Sequence, residues 1–154
     1  MAALHRLALR IAWIGLRVYW RLFHPEVRGT AVLVRVDDSL LVIRNSYRRV
    51  LTVPGGRVGR HEEHRSAAAR ELEEETGIAV AAETLVPAGH VLCTALGSKD
   101  EVYFYELRLT QEPSIEVDGR EVVEARFVEE ASLDRRTLWP PLRQLFDEAD
   151  SRAR

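Results

Sequence analysis

Cysteine is almost missing: Cys93 stands alone among 154 residues. An intramolecular disulfide and a thiolate metal cluster are therefore both excluded, and a reducing, cytoplasmic setting is the expectation. Cys93 closes an apolar run over residues 89–93 that reads as strand. No partner base stands at a readable spacing, so it is not expected to act as a nucleophile. A membrane-crossing run is missing too. In the apolar N-terminal stretch the longest arginine-free piece is residues 11–16, far short of the ~20 residues a bilayer requires. Those arginines, and the lack of a small-residue cleavage site, also argue against a secretory leader. No repeat, linker or low-complexity segment is evident. Nor is there an excess of positive charge. Residues 1–24 hold four arginines and no acid, which leaves 18 Lys+Arg against 24 Asp+Glu in the other 130 residues, a formal charge of −6. An acidic body cannot displace counterions broadly, so stable nucleic-acid binding is not expected. A small phosphate-bearing ligand is still compatible with it.

The N-terminal stretch reads as one helix over residues 3–23. Arg6, Arg10, Arg17 and Arg21 follow at spacings of four, seven and four. At 100° per residue they form a narrow basic stripe, while Trp13 and Trp20 share another face. The apolar arc is wide for a helix in water and needs cover. Two readings supply it. The helix packs on its own domain or on a partner subunit, as in a homodimer. Alternatively it makes peripheral contact with an anionic membrane surface, arginines toward headgroups and tryptophans toward lipid. His24-Pro25 ends it, so residues 1–25 are set apart from a domain over residues 29–148.

From Gly29 the pattern changes to that of strands. Residues 30–36 are rich in β-branched types, Asp37-Asp38-Ser39 is a turn, and residues 40–44 form a second strand. A polar loop over 45–49 leads to a short strand at 51–53, ending at Pro54-Gly55-Gly56. Residues 62–76 suit a helix that Gly77 terminates. Residues 79–92 read as extended, 97–100 as a polar turn, and 101–110 as a strand with Val102, Phe104, Leu107 and Leu109 inward. Residues 122–128 are a last strand and 136–149 a terminal helix around Pro140-Pro141, with a frayed tail. Strands with two helices predict an α/β or α+β sandwich, helices on both faces of a mixed sheet.

Chemistry concentrates between Gly55 and Ile78. Glu71, Glu74 and Glu75 stand at i, i+3 and i+4, so one helix face carries three carboxylates. By itself such a run usually marks a solvated face. Three like charges also repel, and a hard divalent cation relieves that by taking oxygen ligands. No His or Cys interrupts the three, which favours Mg²⁺ or Mn²⁺ over Zn²⁺. The preceding glycines permit a sharp turn whose backbone carbonyl could reach the same ion. Such a cluster can hold a diphosphate and generate hydroxide from water. Nearby, Arg44, Arg48 and Arg49 could meet phosphate, and Tyr47 could stack on a base.

The whole segment resembles the Nudix box: Gly56, Glu62, Arg70, Glu71, Leu72, Glu74, Glu75, Gly77 and Ile78 fill every defined position of that 23-residue pattern. The resemblance extends to the strand order over residues 29–148. It implies a Nudix-type α/β/α sandwich with a mixed sheet, preceded here by the extra helix. It implies a Mg²⁺-dependent pyrophosphohydrolase, Mn²⁺ being the other candidate metal. Glu71, Glu74 and Glu75 would ligate metal with the Gly55 carbonyl. Arg70 would orient a box glutamate, while Gly56, Glu62 and Gly77 would shape the loop–helix–loop. His61 stands where the family commonly has glycine, and Glu73 falls outside the pattern. In the family the general base is a box glutamate, such as Glu71 or Glu75, or an acid from a later strand or loop. Glu121 is preferred here and Glu124 is next, in a stretch leading to Phe127; Asp100 and Glu101 are weaker choices. No longer motif for ADP-ribose, diadenosine polyphosphates or coenzyme A is evident, and Leu51 replaces a tryptophan common in relatives. The expected substrate is a nucleoside triphosphate or nucleoside diphosphate derivative. Alternatives are a nucleotide-binding module without catalysis, a hydrolase of a membrane-associated diphosphate, and an isoprenoid diphosphate isomerase, for which Cys93 lacks the expected surroundings.

Overall fold

Residues 31–34 and 40–43 are apolar at every position, not alternately, because the strands they form are covered on both sides. The computed structural model describes residues 7–9, 11–16, 19, 26–95, 98–117 and 119–152. Strand β1 (Glu26–Val36) turns at Asp37-Asp38 into β2 (Ser39–Asn45). Val36 pairs with Ser39, and Asp37 takes a left-handed φ of 48°, as a two-residue hairpin turn demands. Short β3 (Gly55–Arg57) precedes helix α1 (His64–Thr76). Then come β4 (Val86–Ala95), β5 (Ser98–Leu109), β6 (Val122–Glu129) and helix α2 (Pro140–Arg152). The sheet runs β4-β5-β1-β2-β6, with β3 added on β1. Among the described strands only β1 and β5 pair in parallel, so the sheet is mixed.

Ala31, Leu33, Leu40, Val42 and Phe104 point to one face, where Leu142, Leu145 and Phe146 of α2 cover them. Val32, Val34, Leu41 and Leu107 point to the other, against Ala68 and Leu72 of α1. This is the expected α/β/α sandwich. Before it, residues 7–9, 11–16 and 19 are helical. The arginine stripe, Trp20 and the stop at His24-Pro25 lie outside the described residues. Leu9, Trp13 and Leu16 are half-buried against the domain, whereas Leu7, Ile11 and Ile14 are exposed. Among the described residues no helix is long and apolar enough to cross a membrane.

Several boundaries move, each for a backbone reason. β1 begins at Glu26 because β5 pairs with it from there. Residues 51–53 contribute only isolated bridges, Leu51 to Leu138 and Thr52 to Ile43, and the strand lies on the glycines instead. Residues 98–100 are strand, since Ala95 already pairs with Ser98. A 3-10 turn at Ala82–Thr84 delays the fourth strand to Val86. Helix α1 starts at His64, since Glu63 caps it by accepting the Ser66 N–H at 2.9 Å. The last helix starts at Pro140, after a 3-10 turn at Arg135–Thr137. Gly77, at φ 73°, closes α1 in the left-handed conformation.

Candidate active site

Helix α1 lies beside the glycine strand, and their contact is made by missing side chains. Gly56 pairs with Thr30 of β1 and Gly55 with Ala31, which pins both glycines in place. A methyl group added at Gly56 would come 2.4 Å from the Glu71 carboxylate, so the absent Cβ is the cradle that holds this acid. The Gly55 N–H donates to Glu75 Oε2 at 2.8 Å. Glu75 is only 8% exposed.

Arg70 ties the remaining acids together. Its Nε and Nη2 donate to the two oxygens of Glu62 at 2.9 and 3.1 Å, a bidentate pair. Its Nη1 reaches Glu71 at 2.8 Å and Glu74 at 3.2 Å, and Nη2 also donates to the Arg57 carbonyl at 3.2 Å. Glu62 accepts the Gly59 N–H as well, at 2.8 Å. Staying off the helix is what leaves Glu62 free to do this.

The acids divide by environment. Hydrogen bonds from Arg70 and Gly59 hold Glu62 below the usual carboxylate range. Burial pushes Glu71 up, against the pull of Arg70. Burial drives Glu75 up to about 8. Its bonds from Gly55 and Asn45 oppose that rise, and the charges of Glu121 and Glu71 add to it. Glu71, Glu75 and Glu121 thus share an electrostatic neighbourhood that resists further negative charge.

Beside them opens a cavity of about 630 Å³. Gly55, Gly56, Glu71, Glu74 and Glu121 line it, as do Tyr47, Arg48 and Asp100. Tyr47 donates its hydroxyl to Glu121 Oε1 at 2.7 Å. Its phenol is raised well above the ordinary range, chiefly by burial. Arg44, Arg49 and Glu124 do not line the cavity. Strand alternation sends Arg44 to the surface, where it meets Glu124 at 2.8 Å across the β2–β6 pair, and Arg126 joins at 3.1 Å. Those bonds hold Glu124 below the usual range, Arg44 contributing most. Arg49 is exposed. Glu101 is engaged with Arg28, Tyr103 and His90.

Two kinds of residue go unforeseen as parts of the site. Asn45, at a bulge in β2, is buried and bonds Glu75. Trp13 and Trp139 line the cavity, and no local spacing links them to the box.

Among the described residues no three His, Cys, Asp or Glu side chains already converge on a metal position. Glu71 and Glu74 are instead turned onto Arg70. The donors fit a divalent cation in kind: all-oxygen, mutually repelling, with one seated in a glycine cradle.

The NUDIX domain family matches residues 25–149. A curated relative, the ADP-ribose pyrophosphatase of Bacillus subtilis (strain 168), is 30% identical over 131 residues, 80% of this chain and 67% of that protein. The MutT protein from Methanosarcina mazei Go1 has the same fold, with TM-score 0.72 and 22% identity over 86% of this chain and 98% of its own. So does the bifunctional NMN adenylyltransferase/ADP ribose pyrophosphatase from Francisella tularensis, solved with AMP and a Mn ion. There the TM-score is 0.70 at 17% identity, over 92% of this chain and 48% of that one. The chain belongs to the Nudix family. It is a Nudix hydrolase acting on a substrate of the nucleotide diphosphate type, in a family that generally uses a divalent metal, commonly Mg²⁺.

Proposed function

We propose that this hydrolase is a Mg²⁺-dependent pyrophosphohydrolase of nucleoside diphosphate derivatives, with ADP-ribose the first compound to test and nucleoside triphosphates the second. The observation that carries the reading is the coupling of box to cavity. Glu71 in its glycine cradle and Glu74 both line a space large enough for such a ligand, with Arg70 bonded to each. The Bacillus subtilis relative named ADP-ribose pyrophosphatase supports the first choice.

Glu71, Glu74, Glu75 and the Gly55 carbonyl would hold the ion, which when bound neutralises diphosphate charge and acidifies a water. Arg70 orients Glu71 and Glu74 by bridging them through Nη1, and Glu62 fixes Arg70. Glu121 is our general base. Its Oε1 accepts from Tyr47, and the carboxylate takes the proton of the attacking water. Glu124 and Arg44 serve the sheet edge by pairing with each other. Glu121→Gln is therefore expected to lower kcat by about 10²-fold or more, the usual loss with a general base, while Glu124→Gln stays within about twofold, as an exposed pair implies. Equal losses in the two variants, measured with saturating Mg²⁺, would reverse the assignment.

A panel of nucleoside diphosphate derivatives and triphosphates, assayed with Mg²⁺ and Mn²⁺ and with products identified by mass, tests the substrate class. Two phosphomonoesters from a diphosphate-bridged substrate are expected. A silent panel would point to a binding module. Running it with and without anionic vesicles, and across protein concentration, reads the membrane contact and the homodimer that exposed Leu7, Ile11 and Ile14 support.

A further inference from the structure

The acidic cavity has an opposite character where the N-terminal segment meets it. Leu9, Trp13 and Leu16 of that segment line the same space as Glu71 and Glu74. The Trp13 ring lies 5.0 Å from the Tyr47 ring, inclined at 45°. One guanidinium serves the group: Arg48 Cζ is 4.4 Å from the Trp13 centroid, 5.5 Å from Tyr47 and 6.0 Å from Trp139. Arg48 Nε is buried and has no hydrogen-bond partner among the described residues. All four of these side chains line the cavity.

Inclined rings around a guanidinium are stable packing in themselves; what marks this group is that it lines the same cavity as the box acids. A flat heteroaromatic ring suits such a wall, since it stacks on tryptophan or tyrosine and on a guanidinium plane. A sugar alone offers no π-face, and a phosphate alone makes no use of the rings. The acidic end and the aromatic end then divide one ligand between them, diphosphate at the first and base at the second.

We infer that the N-terminal helical segment is a wall of the substrate site, and that Trp13, with Tyr47 and Arg48, holds the nucleobase. The inference rests on the nucleotide-hydrolase reading above. Trp13 is then a specificity-determining residue brought by a segment that precedes the family match at residue 25. It sets which nucleotides bind and leaves bond cleavage to the box.

The test uses two probes that carry no diphosphate linkage, so it runs whether or not the protein hydrolyses anything. AMP and ribose 5-phosphate are titrated calorimetrically into the full chain, in wild type, Trp13→Ala and Trp13→Phe. Wild type is expected to bind AMP more tightly than ribose 5-phosphate. Trp13→Ala should weaken AMP by about tenfold, as expected for loss of one stacking partner, and leave ribose 5-phosphate unchanged. Trp13→Phe should restore most of the difference. With the substrate found in the panel, Trp13→Ala should raise KM by the same factor at constant kcat. Three results would overturn the inference: no base-dependent preference in wild type, equal weakening of both probes, or AMP binding indifferent to Trp13→Ala. Equal weakening would mark Trp13 as an anchor for the helix. Failure of the hydrolysis panel alone would sink the functional reading and leave the base site standing.

Discussion

Glu75→Gln is expected to leave a folded protein whose Mg²⁺-stimulated turnover is lower by about 10³-fold, the scale of losing both a metal ligand and the order it imposes. Glutamine keeps an oxygen for the Gly55 N–H, which now meets Glu75 at 2.8 Å. It also matches the metal-free protein at neutral pH, because burial has pushed the Glu75 carboxyl up to about 8 and it keeps its proton there. The fold should therefore tolerate the change. Stability against pH checks this separately. The unfolded chain releases the proton near 4.5, the folded chain near 8. Between those values only the folded state binds it, so stability falls as pH rises through the window and levels off above it. Raised Glu71 adds to the same trend. Depressed Glu62, Glu101 and Glu124 contribute in full once pH exceeds the unfolded carboxylate value, so they add no slope in that window. In chelator, wild type should melt lower at pH 8 than at pH 6, and Glu75→Gln should flatten most of that difference. An unchanged difference in the variant would show that the buried proton is not on Glu75.

The two glycines of β3 should fail in opposite ways. At Gly56 the three atoms nearest an added methyl all belong to the end of the Glu71 side chain, at 2.4 to 2.5 Å. That carboxylate can swing aside at small cost in stability. It leaves its cradle in doing so, and activity in Gly56→Ala should fall by about 10²-fold, as misplacement by an ångström does elsewhere. At Gly55 the methyl meets backbone, Thr30 O at 2.3 Å and Ala31 Cα at 2.7 Å. Neither can move without parting β3 from β1, so Gly55→Ala should lose on the order of 3 kcal/mol of stability. Thermal melts and Mg²⁺-dependent rates on the pair separate the effects. Full activity in Gly56→Ala would mean that the Glu71 position seen here is not the working one.

Why these glycines matter was only half legible in the sequence. The box can be read because its acids, arginine and glycines must keep fixed spacing along one turn and one helix. The strands of the sandwich can be read because Val, Leu and Ile covered on both faces leave unbroken apolar runs. β3 could not be, since glycines pair by backbone alone and carry no side-chain period. Residues 62–76 are all compatible with a helix by composition, which puts Glu62 at its start; yet Glu63 takes the cap and Glu62 stays outside to grip Arg70. Glu121 and Glu124 stand three residues apart, and the sequence prefers the first only slightly. The structure gives them different surroundings: Glu121 sits just before β6 with Tyr47 on it, and Glu124 is within the strand, paired with Arg44. Trp13 is farthest from legibility, because a contact between residue 13 and residue 47 leaves no trace in local spacing.

The most direct measurement takes the best substrate of the panel and follows its cleavage by mass in ¹⁸O-labelled water, with Mg²⁺ or with excess chelator, in wild type and Glu75→Gln. One ¹⁸O atom in one of the two products is expected, formed by the wild type only when Mg²⁺ is present and scarcely at all by the variant. Wild-type rates from Glu75→Gln, or cleavage that survives the chelator, would contradict a reaction centred on Glu71, Glu74 and Glu75.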